Sequence, residues 1–177
     1  MRSMQKLLPL FFLCAACTSS TSLKGMYSDS RSDAQLGDSP DDMLEAALAR
    51  RERVERVHVL LAEGQVVTDE DKLRAAALLL DSNFPEDLDL ATDLALEVAE
   101  AGDERGFPLA GEAIDRGRML RGLPQKYGTQ YVWSPISEKW TLYPWDELTT
   151  DAERAAMGLP SLPSAVARVG QLNQEAP

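Results

Sequence analysis

Cysteine is nearly missing from this chain. Cys14 and Cys17 are the only two, so everything beyond position 17 lacks a disulfide, a thiol nucleophile and a thiolate metal ligand. Histidine is scarcer still. His58 stands alone, and one imidazole with carboxylates is too weak a ligand set for a zinc site. The sequence therefore predicts no metal and no cofactor. Positive charge is also short, with 18 basic against 29 acidic residues and a net charge of -11. The densest basic stretch, "RRERVER" from Arg50 to Arg56, is diluted by Glu52 and Glu55. Duplex or RNA binding needs clustered Lys and Arg to neutralise phosphates, so no nucleic-acid partner is expected. Apolar runs stay well below the roughly 20 residues that span a bilayer. Walker-type phosphate loops, dinucleotide fingerprints and Gly-x-Ser-x-Gly elbows are absent, which leaves no recognisable catalytic motif.

What is present begins with "MRSMQKLLPLFFLCAACTSSTS". Arg2 and Lys6 form a basic start, and Leu7 to Ala16 is an apolar run of ten residues. That length suits the core of a signal peptide covering residues 1–16. The run closes on Ala15-Ala16-Cys17, small side chains that fit a signal peptidase, followed by the cysteine to which bacterial lipoprotein processing attaches acyl chains. The segment resembles a lipobox, with Cys14 where such motifs usually carry an aliphatic residue. The expectation is lipidation at Cys17 and residence in the bacterial cell envelope through that anchor. Loss of Arg2 and Lys6 on cleavage leaves 16 basic against 29 acidic residues, formally −13. Such a chain gains no attraction to anionic lipid headgroups, so its hold on a membrane would come from the acyl group. Thr18, rather than Asp, follows the cysteine, which in a Gram-negative envelope points to the outer membrane. Ordinary cleavage before Cys17 would instead give a periplasmic or secreted protein.

Residues 17–39 are serine-rich, poor in aliphatics and without periodicity, and read as a disordered tether. As a flexible chain, Thr18 to Ser39 would reach about 25–30 Å. Residues 40–173 read as one α-helical domain. Ser39-Pro40 with Asp41 and Asp42 is a helix start, and Gly64 a stop. The polar run from Arg50 to Arg53 is expected to loosen or expose the middle turns of that helix. Thr68 to Asp71 opens a second helix through "LRAAALLL", Pro85 a third ended by Gly102, and Asp103 can cap a fourth that ends before Gly122. Short connections make these neighbours antiparallel hairpins with Ala-rich facing surfaces. After Gly122 the period changes. "QYVW" and "KWTLY" around "SPISE" predict a small β-hairpin. A capping box at Thr150 to Glu153 starts a short helix ended by Gly158, and residues 164–172 a last one. The fold class is mostly α, antiparallel helical hairpins with a small C-terminal β-hairpin and terminal short helices.

Three blocks, "AAALLLDSNFPEDLDLATDLALEVAEAG", "FPLAGEAIDRGRMLRGLPQKYGTQ" and "TTDAERAAMGLPSLPS", carry a resemblance. Over about residues 55–173 the chain is similar to a bacterial family classed as a domain of unknown function, marked by a Pro-Gln-x-Tyr-Gly-Thr-Gln motif. Matching positions are Asp115, Arg116, Pro124, Gln125, Tyr127, Gly128, Thr129, Gln130, Asp151 and Arg154. Many relatives carry Gln-His-Gly near the end of the second helix; here that place reads Leu80-Asp81-Ser82, so any chemistry resting on that histidine is missing. The resemblance implies a bacterial lipoprotein with paired helices and brings no activity.

Two readings of the candidate residues follow. In one, Asp115, Arg116, Gln125, Tyr127, Thr129 and Gln130 brace the passage from helix to hairpin. Gly128 then supplies a left-handed backbone and the polar side chains satisfy exposed helix-end groups. The protein would be a non-catalytic interaction or structural module, with an envelope protein as possible partner. In the other, the same residues surround a pocket, and the protein is an envelope-associated hydrolase or small-ligand binder. His58 is expected to be a structural or solvent-edge residue. The acid pairs Asp69/Asp71, Glu86/Asp87, Asp89/Asp93 and Asp103/Glu104 are expected to serve helix dipoles and hydrated faces.

Overall fold

The computed structural model describes residues 22–32 and 39–175. The expected signal peptide and Cys17 lie outside them. Among the described residues the chain runs α1 (Leu23–Ser32), α2 (Pro40–Ala62), α3 (Asp69–Leu79), α4 (Pro85–Glu100), α5 (Gly106–Leu120), β1 (Tyr131–Ser134), β2 (Lys139–Leu142), α6 (Asp151–Ala156) and α7 (Leu162–Glu175). The fold is mostly α with one small antiparallel hairpin, as the periodicities predict.

Local chemistry sets the boundaries. Ser39 Oγ accepts from Asp42 N, and reciprocal capping boxes join Thr68 to Asp71 and Thr150 to Glu153. Each satisfies N–H groups that a helix start would leave open. Successive helices α3, α4 and α5 pack as neighbours around α4, with α4 and α5 the most extensively joined pair. Their contact is lined by small residues: Ala91, Ala95, Ala110 and Ala113 are fully buried. The approach is closest at Gly106, where a Cβ would sit 2.2 Å from the carbonyl oxygen of Ala95 and 2.7 Å from the nitrogen of Ala99. Glycine there is a spatial requirement.

Helix α2 is divided. Its C-terminal half sends Val54, Val57 and Leu60 into the core. Its N-terminal half buries only Ala46 and leaves Met43, Leu44 and Leu48 exposed at 65%, 59% and 55%. The helix runs unbroken through Arg50–Arg53, without the loosening that the polar run suggested; Arg50, Arg51 and Glu52 are exposed as expected, but Arg53 is buried.

A second departure concerns the expected tether. Residues 23–32 form α1, and its Leu23 and Met26 belong to the core cluster. The helix packs mainly on α3 and less on α2. Two apolar side chains spaced i, i+3 in a serine-rich segment are a weak amphipathic signal, and burial against α3 supplies what local propensity lacks.

At the other end, β1 and β2 pair in antiparallel register with Trp133 opposite Trp140. The two rings meet edge to face, centroids 5.8 Å apart. On the outer side of β2, Asn173 of α7 accepts from Trp140 N at 2.7 Å and donates to Trp140 O at 3.0 Å. One amide side chain thereby stands in for a further strand and closes the edge.

Candidate functional site

The turn after α5 is built around one carboxylate. Asp115 has no exposed surface, and its Oδ1 accepts from Lys126 N at 2.6 Å and Tyr127 N at 2.8 Å. Its Oδ2 accepts from Thr129 N and Thr129 Oγ1, both at 2.9 Å. Among the described residues no cation pairs with it; four donors take the place of a counter-charge. The same loop's carbonyl goes the other way. Arg154, 1% exposed on α6, donates from Nε to Tyr127 O at 3.1 Å and from Nη1 to Thr149 O at 2.6 Å. Asp151 Oδ1 accepts from Arg154 Nη1 and from Leu162 N.

Gln125 completes the joint. Its buried amide donates to Gln130 O at 3.1 Å and Tyr143 O at 2.8 Å and accepts from Gln130 N at 2.7 Å. Its backbone bridges to the strand-like segment at Trp145. Gly128, at φ +81°, makes the reversal that lets three nearby N–H groups face one carboxylate. Gln130 Nε2 donates to Thr129 Oγ1, and Tyr127 is 7% exposed. So the structure brings Asp115, Gln125, Tyr127, Thr129 and Gln130 together, with their polar atoms directed at one another.

Arg116 is the exception. Consecutive residues on an α-helix diverge by about 100°, so Asp115 and Arg116 cannot serve one site. That much was readable in the sequence. Arg116 reaches the α3–α4 connection instead, donating from Nη2 to Ser82 O at 3.3 Å and Asn83 Oδ1 at 3.5 Å. Its Nε is buried without a partner. Arg116 lines a cleft of about 980 Å³ whose walls come from α1, α2, the α3–α4 connection, the first turn of α4 and α5, and which includes none of the other joint residues.

In that cleft sits an imidazole backed by a carboxylate. His58 Nε2 lies 2.8 Å from Asp87 Oδ1, and Ser82 Oγ donates to Asp87 Oδ2 while accepting from Phe84 N. Asp87 is 8% exposed, which corrects its reading as an acid on a hydrated helix start, while Glu86 beside it is exposed in the first turn of α4 as expected. Its charge is committed to a histidine 29 residues away. In the neutral ring this contact puts the hydrogen on Nε2 and leaves Nδ1 without a partner among the described residues. His58 keeps the solvent-edge position expected of it, with its side chain 46% exposed. The missed signal is long-range: no spacing rule joins His58, Ser82 and Asp87 across three elements.

One turn before Asp115 on α5, Glu112 is exposed as a residue, but its carboxyl is raised from an ordinary value of 4.5, first by partial loss of hydration and second by the charge of Asp115. Among the described residues no group of three or more His, Cys, Asp or Glu gathers as a metal site, and no helix is long and apolar enough to cross a membrane. No family model, no curated protein and no solved structure matches the chain.

Proposed function

We propose that this chain is an exported bacterial lipoprotein, anchored through Cys17, that acts as a non-catalytic interaction module in the cell envelope. The observation that carries the reading is the unburied apolar face at the start of α2, where Leu44 and Leu48 stand exposed one helical turn apart and Met43 is exposed beside them. Singly exposed leucines are ordinary; a contiguous apolar row on one helix is a surface suited to a partner. The C-terminal corner supports the same reading, because the polar side-chain atoms of Asp115, Gln125 and Thr129 bond within the joint. A photo-crosslinker at Leu48 should give a discrete adduct in intact envelopes, whereas one at Ile136, 97% exposed on the hairpin loop, should not. Equal labelling from both positions would remove the stripe's claim. Separately, Cys17→Ser should release the protein from the membrane fraction, and unchanged fractionation would end the lipid-anchor reading.

The cleft favours a second reading, a small-ligand binder. Its position is the feature that moves: it opens beside Arg116 and His58 and away from the Pro-Gln-x-Tyr-Gly-Thr-Gln turn. Binding is preferred over hydrolysis because Ser82, 4% exposed, donates its hydroxyl hydrogen bond to Asp87 and presents no free nucleophile to the cleft.

A further inference from the structure

We infer that the cleft binds a small monocarboxylic acid with an apolar body, its carboxylate held by Arg116 and its body against Phe84 and Val54. This rests on reading the cleft as a ligand site and names the chemistry of the ligand.

The argument begins with unequal pairing. Arg51 is already matched to Glu55 at 2.8 Å, and Asp87 is shared between His58 and Ser82. Arg116 has no carboxylate partner: Nη2 makes two long bonds, Nε is buried with none, and Nη1 makes none among the described residues. Arg154 also has a buried nitrogen without a partner, but Asp151 stands beside it, whereas Arg116 borders the cleft without a carboxylate, and its five donors match a planar acid in fork geometry. A carboxylate reaching Nη1 would complete it with charge-assisted bonds.

The apolar half comes from the walls. Phe84 is 68% exposed at the cleft, an aromatic face without cover, and Val54 and Ala47 lie in the lining. The volume of about 980 Å³ is at the upper end for small-molecule sites. Charge then narrows the class. A chain with a net charge of -11 repels anions at long range, which disfavours polyphosphates and nucleic acids. One carboxylate attached to enough apolar surface to reward burial satisfies both constraints. Such an acid could be a free aryl or alkyl acid, or the C-terminus of a short peptide.

The test uses the full chain and ligand-observed NMR with four probes: 4-phenylbutyrate, its neutral amide, and acetyl-Ala-Ala-Phe as free acid and as C-terminal amide. Each acid should bind at least tenfold more tightly than its amide. Tighter binding of phenylbutyrate identifies a free-acid site, and tighter binding of the peptide acid a C-terminus reader. Arg116→Gln should abolish the preference for acid, and Arg116→Lys should restore part of it. Phe84→Ala alters an exposed side chain, keeps the fold, and should weaken both acids. Acid and amide binding equally, with both weakened by Phe84→Ala, would overturn the carboxylate inference yet leave a ligand cleft. Binding indifferent to Phe84→Ala and Arg116→Gln, or no binding at millimolar probe, would overturn the cleft reading as well.

Discussion

Replacing Asp115 with alanine should be among the most damaging single changes this protein can suffer. The carboxylate is fully buried and accepts four hydrogen bonds, three of them from backbone N–H groups of Lys126, Tyr127 and Thr129. Alanine removes all four and gives those N–H groups nothing in exchange. A buried donor left unsatisfied costs about 1–3 kcal/mol. Three of them amount to roughly 3–9 kcal/mol before relaxation, against a whole-domain stability of about 5–15 kcal/mol. Allowing for water entering the opened joint, the expected loss is about 4 kcal/mol. Urea unfolding followed by far-ultraviolet circular dichroism measures it, provided the m-value is unchanged. Asp115→Asn should lose less, since the amide oxygen still serves one side while its NH₂ confronts an N–H on the other. A loss below about 1 kcal/mol in Asp115→Ala would refute the idea that this carboxylate organises the turn.

Other outcomes follow from the same packing. Arg154→Met should destabilise by about 2–4 kcal/mol, because it strands the carbonyls of Tyr127 and Thr149. In a double-mutant cycle with Asp115→Ala the losses should fall short of additivity, since both residues hold one loop. Gly106→Ala should cost about 2 kcal/mol or more despite alanine's better helix propensity. The new Cβ meets backbone atoms of Ala95 and Ala99 that cannot rotate aside; an unshifted denaturation midpoint would contradict that close crossing. Glu112→Gln should raise the melting temperature at pH 7. The folded chain holds this proton more tightly than the unfolded one, so stability falls as pH rises from about 4.5 through the raised folded value. The gain in Glu112→Gln should therefore shrink as pH is lowered and vanish below about 4, which a pH series of thermal melts would reveal.

How much of this could be read from the chain itself depends on range. Ser39-Pro40, the Thr68 and Thr150 boxes, and the glycines at 64, 102, 122 and 158 act within a few residues of themselves, and each lies where a helix begins or ends. The polar turn was legible for the same reason: Gly128 and the Gln125–Gln130 exchange are local. Helix α1 was not, because its own ten residues hold too little apolar surface and its order comes from α3. Nor was the His58–Asp87–Ser82 cluster. Asp87 carries every mark of a first-turn acid, and only the packing of α2 against the α3–α4 connection turns it inward.

The docking of α1 shortens the leash. An acyl group on Cys17 would be separated from the packed Leu23 by positions 18–22 alone, at most about 21 Å of extended chain. Because Ser30, farther along α1, borders the cleft, its mouth would lie about one bilayer's thickness or less from the anchor. Under the proposed anchoring, a module so moored would sample what diffuses along headgroups before what drifts in open fluid.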